Sequence, residues 1–351
     1  MMLCRKNTTH LLSVVVMSAV AATAVATAAV APALFIAHGG GPMPLLNPSD
    51  PLPVVWQRHV ADLFGGPAAA RPKAIVVVSA HYDGDADGTV RVGGAARPKM
   101  LYDYGGFPPE SYKLQYPAPG APDVAAKAVA LLKAAGVKAR LDADRPYDHG
   151  VFVPLMKMFP AADIPVVPLS VLPSQDPAAH VAVGRALAPL RADGVFFLGS
   201  GASNHNFAYL FGRRQPKVPG VVGDGFHRRL NSVFAEAAAT AASAAAGKKL
   251  LADLEAYLDW PETEEAQARG AAEHFMPLFT ILGTSKFFAD AGAKPTGTEE
   301  CGSPVGGDAF AAAAAAAAPR APRVVYEGER GLQPGDMLRV ATPFTHVLCE
   351  D

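Results

Sequence analysis

Residues 33–42 read ALFIAHGGGP, which is five apolar residues followed by one histidine, three glycines and a proline. The apolar run lacks polar alternation and therefore predicts a buried strand, and the glycines predict a tight turn where that strand ends. Two interpretations of this junction compete. The glycines could cradle a phosphate with His38 incidental, or they could clear space so that His38 holds a ligand at the edge of a sheet.

Four more short apolar runs predict central strands, namely AIVVVSA (74–80), VKARL (137–141), IPVVPLSVL (164–172) and VFFLG (195–199). Helical stretches lie between them. Asp123 is expected to cap one that ends near Gly136, and Asp176 to cap another that starts at Pro177 and runs to Gly194. This alternation predicts an α/β fold with a mainly parallel, mixed central sheet flanked by helices, and an active site at the carboxyl ends of the strands.

The composition is that of an ordinary globular protein, with 351 residues, 50% hydrophobic residues and a formal net charge of -1. A surface for nucleic acid needs a basic excess or stripe, and the chain has neither, so that class of partner is excluded. Three well-separated cysteines, Cys4, Cys301 and Cys349, make neither a disulfide framework nor a paired metal site. They predict that the folded part matures in a reducing compartment.

The first residues differ from the rest, because Arg5 and Lys6 precede a long Ala-rich apolar stretch and no acid occurs before Asp50. This pattern is typical of a signal or transit peptide. We expect residues 1–31 to be a leader or targeting segment, disordered or removed, and residues 32–351 to form a single catalytic domain without stable membrane insertion. The compartment, cytoplasmic or organellar, stays open. The Ala-rich tracts at 237–246 and 311–318 are expected to be insertions that contribute no chemistry.

Four histidines follow or end predicted strands. His38 ends the first strand, His81 ends the second, His149 lies in the loop after the third and His205 follows the fifth. Because the carboxyl ends of parallel strands meet at one edge of a sheet, these four imidazoles are expected to converge there. His274 precedes an apolar helix and could reach in from the side. One histidine beside a core strand is more often structural, whereas four at one edge favour a ligand site.

The remaining candidates favour structural roles. HGGGP has neither the glycine spacing and following helix of a dinucleotide turn nor the lysine of a phosphate loop. Gly39 to Gly41 are therefore expected to supply positive φ and open space beside the imidazole. His59, His180 and His227 fall in helical stretches and are expected on solvated faces, and His346 is expected to be structural.

Converging neutral imidazoles are a typical donor set for zinc, iron, copper or nickel, and three protein ligands leave coordination positions open for chemistry. Non-haem iron oxygenases commonly use two histidines and one carboxylate. Glu273 adjoins His274, so at that point of the chain the ligand is either the carboxylate or the imidazole.

Five motifs together resemble a known family: HGGGP, SAH (79–81), DHGVFVPL (148–155), GSGASNHN (199–206) and EHFMPL (273–278). In this order and spacing they resemble the class III extradiol ring-cleavage dioxygenases, and among these the DOPA 4,5-dioxygenase branch. The resemblance runs from about Ala33 to about Ser285. It implies an enzyme that inserts both atoms of O2 into a DOPA-like catechol and gives a muconic semialdehyde-type product.

The resemblance also implies roles for single residues. His38 and His81 are expected to bind the metal, with His274 as the third ligand of this branch. His205 is similar to the active-site histidine at or close to the metal, and is expected to be catalytic as well. His149 is similar to the residue that moves protons. The cofactor implied is one divalent ion, Fe(II) for catalysis, while Zn(II) could occupy the same site.

Other functions remain open at this stage. The same histidines could serve a zinc-dependent hydrolase that activates water, or a non-catalytic metal-binding relative on the same fold. Zinc has no redox chemistry, so it would support only polarisation or structure. One departure from the family pattern bears on the pocket wall: Arg269 and Gly270 stand where a His-Pro pair is common. The expected partners are a small catechol and O2, with a homo-oligomer left open.

Overall fold

The structure, a computed structural model, describes residues 30–66, 70–219, 221–240, 243–288, 322–330 and 342–349. Its strands are β1 (Ala33–Ala37), β2 (Ala74–Asp83), β3 (Val90–Gly93), β4 (Ala139–Asp142), β5 (Val166–Val171), β6 (Val195–Gly201), β7 (Arg323–Arg330) and β8 (Thr342–Cys349). They form one mixed sheet in the order β4-β3-β5-β2-β6-β1-β8-β7. The α/β architecture expected from the alternating pattern is therefore confirmed.

Helices lie between most of the strands along the chain. They are α1 (Met43–Leu46), α2 (Leu52–Phe64), α3 (Pro122–Ala134), α4 (His149–Met158), α5 (Pro177–Leu187), α6 (Pro189–Ala192), α7 (Phe207–Leu210), α8 (Asp224–Ala239), α9 (Ala244–Glu255), α10 (Thr263–Ala266) and α11 (Met276–Gly283). Short 3-10 helices cover Pro109–Lys113, Ala256–Asp259 and Lys286–Phe288. None of these described helices combines the length and the apolar character that crossing a membrane requires.

Both faces of the central strands are covered, which explains why their sequences are apolar without alternation. Neighbouring side chains of a strand point to opposite faces, so Leu34 packs in one core and Phe35 in the other. The Leu34 face is covered by α2 and α4, whose Trp56 and Phe152 are fully buried. The Phe35 face is covered by residues of α3, α5, α8 and α11.

Four strands in the middle of the sheet run parallel, since β1 and β2 each pair in parallel with β6, and β2 also pairs in parallel with β5. Antiparallel strands flank them: β8 pairs with β1, and β3 pairs with β5. The run predicted as a central strand at 137–141 is in fact the edge strand β4. It is parallel to β3 and hence antiparallel to the core, and Arg140 and Leu141 in it are exposed.

Helix boundaries differ from prediction where proline or a competing residue decides them. Asp176 caps α5 by accepting the Ala178 N–H, as predicted. That helix stops at Leu187 instead of reaching residue 194, because Pro189 has no N–H to continue the hydrogen-bonded ladder and starts α6. Asp123 is not the cap of α3; it lies inside the first turn, where its charge still favours the helix dipole.

Three histidines expected on solvated faces, His59, His180 and His227, are buried, so that expectation was wrong. Hydrogen bonds make burial tolerable for the latter two. The His180 ring accepts the Leu172 N–H and donates to the Asp176 carbonyl, at 2.9 and 2.7 Å. The His227 ring donates to the Gly223 carbonyl at 2.9 Å, and its other nitrogen lies 3.1 Å from the Ser203 hydroxyl. Both rings are therefore satisfied as neutral imidazoles.

The predicted leader and the second Ala-rich tract lie outside the described residues, apart from Val30 and Ala31, so the leader and the domain boundary remain predictions. The Ala31 N–H donates to the carbonyl of the buried Arg191, whose guanidinium donates to the carbonyls of Ala31, Thr284 and Cys349. The first Ala-rich tract contributes the end of α8 and the start of α9, where Ala237 and Ala246 are buried.

We predict that His227 makes folding stability depend on pH. Burial lowers its pKa from 6.5 to about 4. As the pH falls from about 6.5 to about 4, His227 becomes protonated in the unfolded chain but stays neutral in the folded one. The free energy of unfolding therefore decreases across that pH range. A shift of this size corresponds to about 3 kcal/mol. Urea unfolding of the protein and of His227→Gln at several pH values should give a flatter pH dependence for the variant; equal slopes would contradict the prediction.

Candidate active site

The structure brings together all five histidines singled out in the sequence. His38 directly follows β1, His81 lies within β2, and His205 follows β6. His274 precedes α11. Centroids of neighbouring rings lie between 3.3 and 5.2 Å apart, the closest pair being His205 and His274. The expected convergence at the carboxyl edge of the parallel strands is therefore present.

His149 reaches this site by a different route from the one expected. It is the first residue of α4, not part of a loop. The preceding strand, β4, runs antiparallel to the core strands, so its carboxyl end does not deliver the side chain to the site. The start of α4 delivers it instead, with Asp148 as the cap that accepts the Val151 N–H.

Three ring nitrogens meet at the centre of the cluster. His81 Nε2 lies 3.2 Å from His38 Nε2 and 3.1 Å from His274 Nε2. Two imidazole nitrogens bound to one metal at about 2.0–2.1 Å and separated by about 90–110° lie roughly 2.8–3.4 Å apart. The observed separations fit that arrangement, so these three residues could hold one divalent ion.

The other nitrogen of His38 fixes which tautomer is present. Ser200 donates its hydroxyl to the Gly150 carbonyl, so at 3.0 Å its oxygen accepts a hydrogen bond from His38 Nδ1–H. A ring protonated at Nδ1 presents a lone pair at Nε2, the atom that faces His81. Outer partners of this kind orient metal-binding histidines.

Carboxylates fix the tautomers of the other two rings, those of His81 and His274. His81 Nδ1 lies 3.3 Å from Asp103 Oδ2, and His274 Nδ1 lies 2.9 Å from Glu273 Oε1. Each carboxylate therefore favours the proton on Nδ1 and leaves Nε2 free. At the position where the sequence left two options, this geometry favours the imidazole of His274 as the donor, with Glu273 behind it.

Burial keeps the three converging rings neutral. It lowers the pKa of His81 to about 3 and the pKa values of His38 and His274 well below the ordinary value. Repulsion from neighbouring histidines adds to the effect in each case. Neutral imidazoles are the form that binds metal, so the protein has a donor set ready at neutral pH.

Asp103 is shared between two histidines. Its Oδ1 accepts hydrogen bonds from the backbone N–H of His149 at 2.9 Å and from His149 Nδ1 at 2.8 Å, while its other oxygen faces His81. Burial alone would raise the pKa of Asp103, but the hydrogen bond and charge of His149 outweigh burial and leave the pKa below its usual value. The carboxylate is thus ionised, and it accepts the hydrogen that His149 carries on Nδ1.

His205 lies flat against His274, with ring planes 17° apart. Its Nδ1 is 3.4 Å from Glu273 Oε1. Burial would raise the pKa of Glu273, yet the interaction with His205 more than offsets burial and the pKa is lowered. Donor atoms of His205, Glu273 and His274 lie within 4.8 Å of one another, as do those of His38, His81 and His149. His205 is therefore at the edge of the same centre.

Two glycines explain local features of the sequence. Gly39 has a φ of +83°, and a Cβ there would come within 2.4 Å of Pro44 Cγ, so the turn after β1 requires glycine. Gly40 does not share the positive φ that we expected for all three glycines of this turn. At the end of β6, a Cβ on Gly201 would lie 2.0 Å from the His274 carbonyl oxygen, the atom that accepts the Ala202 N–H.

A buried ion pair connects the strand of His81 to the helix of His149. Asp148 is fully buried and pairs with Arg145. The same carboxylate accepts the Ser79 hydroxyl at 2.8 Å, and Arg145 donates to the His81 carbonyl at 3.2 Å. The pair thereby fixes the distance between β2 and the start of α4, and with it the relation of the two histidines that share Asp103.

The histidines line a cavity of about 820 Å3. Aromatic side chains in its wall are those of Tyr104, Phe107, Phe207 and Phe211. The acids among its described lining residues are Asp83, Asp103 and Glu273, and no lysine or arginine is among them. Burial, aided by the charge of Glu273, raises the pKa of Asp83. A cavity with aromatic walls and convergent polar groups is typical of a small-molecule site.

Sequence reasoning missed Asp103, Ser200 and the aromatic wall. Asp103 lies in LYDYGGF (101–107), a stretch between the predicted elements that carries no metal-binding or catalytic spacing. Its mixture of aromatic residues, an acid and glycines was the one available signal of a functional loop. Ser200 lies inside a buried strand, where serine gives no such signal.

Comparison with known proteins places this site in a family. The family described as the catalytic LigB subunit of aromatic ring-opening dioxygenase matches residues 65–286, a range that includes His81, His149, His205 and His274. The chain is 37% identical over 265 residues to the dioxygenase tasH of Hapsidospora irregularis, covering 72% of this chain and 78% of that protein.

Relatives named as 4,5-DOPA dioxygenase extradiol are also similar. The Portulaca grandiflora protein is 46% identical over 151 residues, covering 43% of this chain and 52% of that protein. The Escherichia coli (strain K12) protein is 40% identical over 176 residues, covering 50% and 60%. The chain thus matches about half of the length of these relatives.

Among solved structures, an uncharacterized protein from Escherichia coli K12 shares the fold, with a TM-score of 0.59 and 25% identity over 91% of this chain and 99% of that chain. Fold, family match and a histidine-rich centre agree. The chain belongs to the LigB family of aromatic ring-opening dioxygenases, and it is a metal-dependent extradiol ring-cleavage enzyme.

Proposed function

We propose that this enzyme cleaves the ring of a DOPA-like catechol beside its two hydroxyls, with Fe(II) held by His38, His81 and His274. Both atoms of O2 enter the product, which is a muconic semialdehyde-type compound. The observation that carries the proposal is the meeting of three neutral imidazoles, with His81 Nε2 3.1–3.2 Å from the other two Nε2 atoms, in a cavity with aromatic walls.

Iron is proposed over zinc because of the reaction. Opening a catechol ring with O2 moves electrons between the two substrates, and a bound Fe(II) supplies a redox-active centre for that transfer. Zinc has no accessible redox state and would leave the same donors with polarisation alone. Imidazole donors suit either metal, so the choice depends on the chemistry of the family and not on the ligand set.

His149 is proposed as the residue that removes a proton from the catechol and later returns one. Asp103 holds its Nδ1–H, so the free Nε2 can accept a proton. The imidazolium that forms is stabilised by the same carboxylate, since Asp103 is ionised and its Oδ1 lies 2.8 Å from His149 Nδ1. The ring also lies 5.9 Å from that of Tyr104 and lines the cavity, which supports contact between His149 and a catechol bound there.

His205 is proposed to act at the metal from the side of Glu273. It lies against His274, and its Nδ1 is 3.4 Å from Glu273 Oε1, so its Nε2 would be available to a metal ion or to the substrate. Phe207 packs against it, with ring centroids 4.5 Å apart, and both residues line the cavity. This location supports a role next to the metal as well as in catalysis.

The first test is oxygen consumption. The protein is loaded anaerobically with Fe(II), mixed with a catechol and then exposed to O2. We expect one O2 consumed for each catechol and a yellow semialdehyde product, because both oxygen atoms enter the ring-opened compound. The control is the same protein loaded with Zn(II), which should consume no oxygen. Catechol left intact by the iron-loaded protein, or hydrolytic activity in the zinc-loaded one, would contradict the proposal.

The second test concerns the metal ligands. His38→Ala, His81→Ala and His274→Ala should each lose the metal, because a donor is removed outright. Ser200→Ala removes only the partner that orients His38, so its metal affinity should fall about 10–100-fold. Metal content after dialysis and titration with Fe(II) give the two measurements. His227→Gln, a buried histidine outside the site, is the matched control. Full metal content in the three alanine variants would contradict the assignment of these histidines as metal ligands.

The third test separates proton transfer from metal binding. His149→Ala should keep its metal and bind catechol, yet turn over about 10²–10⁴-fold more slowly, as expected for loss of a general acid or base. Metal content, catechol binding without oxygen, and the rate of oxygen uptake are measured on one preparation. Near-normal turnover would exclude His149 from the mechanism, and loss of metal would make it a ligand.

A further inference from the structure

The charged groups of the cavity fall into two kinds. Asp103 and Glu273 are both engaged by histidines, as described above. Asp83 is different, because within the described part of the chain its carboxylate has no hydrogen bond or ion pair with another side chain. It lines the cavity and is exposed to solvent. A carboxylate in that position is available to a ligand.

Asp83 lies close in the chain to one of the metal donors. His81 and Asp83 are two residues apart at the end of β2, in a stretch where the pairing register with β5 shifts. Both line the same cavity. A catechol whose hydroxyls are at the histidines would therefore direct a substituent of a few atoms towards Asp83.

Among the described residues of the cavity wall, no lysine or arginine is in place to bind an anionic substituent. Arg145, whose charge acts on Asp83, is already paired with Asp148, and its guanidinium lies 3.9 Å from the centre of the Tyr82 ring. The surroundings of a substituent are therefore negative and aromatic, and aromatic faces such as those of Phe207 and Phe211 also attract cations.

We propose that Asp83 binds a protonated amine on the substrate, so that the enzyme prefers catechols with a cationic side chain over neutral or carboxylated ones. This inference rests on the proposed function. It narrows the substrate class from DOPA-like catechols in general to those in which an ammonium group makes the principal contact outside the ring. A carboxylate on the same side chain finds no basic partner among the described residues of the cavity wall.

The test compares three catechols that differ in the charge of one substituent: dopamine, 4-methylcatechol and 3,4-dihydroxyphenylpropionate. The iron-loaded protein should have the highest kcat/KM for dopamine and the lowest for the propionate. In Asp83→Asn the ratio of kcat/KM for dopamine to that for 4-methylcatechol should fall about tenfold, the size expected for losing one charge-assisted contact. Asp87→Asn is the matched control, because it removes the same charge beyond β2 from a residue outside the cavity.

A second measurement keeps this inference separate from the proposed function. Anaerobic binding of the three catechols to the zinc-loaded protein is followed by calorimetry, which requires no turnover. Tighter binding of dopamine that Asp83→Asn abolishes and Asp87→Asn retains would support the role of Asp83 even if no catechol were cleaved; absent cleavage of all three would count against the proposed function alone. Equal affinities for the three compounds, or an unchanged preference in Asp83→Asn, would overturn the inference.

Discussion

The site depends on one constraint: the three imidazole nitrogens that meet around His81 Nε2 can all act as donors only if none of them carries a proton there. Burial favours that condition by lowering the pKa values of His38, His81 and His274. The protons are held on the outer side of the rings, by Ser200, Asp103 and Glu273. Without a cation between them, the lone pairs of the three Nε2 atoms repel one another. The fold therefore holds these nitrogens in an arrangement that a bound metal ion would stabilise.

The outer partners link that centre to the rest of the fold. Ser200 belongs to β6, Asp103 to the loop after β3, and Glu273 to the segment before α11. The Arg145–Asp148 pair adds a fourth connection, between β2 and α4. Removing one member of such a buried pair leaves the other charge without compensation, which in general costs more than the pair contributes. Polar contacts at the edge of the sheet thus hold the histidines in position, whereas apolar packing on both faces stabilises the sheet itself.

The sequence predicted the parts of this structure that local pattern controls. The strand at 33–37 and the arrival of His38, His81 and His205 at one edge followed from apolar runs and parallel pairing. Strand β4 was wrongly predicted to be central, because a short apolar run indicates neither the direction of a strand nor its place in the sheet. His180 and His227 were misjudged because their burial depends on partners outside their own helices, Leu172 and Ser203. Asp103 had no metal-binding or catalytic signal, since its role exists only once two histidines flank it.

The position of β1 in the sheet has a consequence for how the chain acquires its fold. Both neighbours of this first strand come from much later in the chain, β6 and β8. The donors that meet at the centre are likewise contributed by segments as distant as His38 and His274. Forming contacts of such long range costs the conformational entropy of closing large loops before the contacts stabilise the fold. Long-range contacts therefore slow folding. During synthesis, β1 would therefore wait unpaired until most of the chain has left the ribosome, and metal capture would follow as one of the last events.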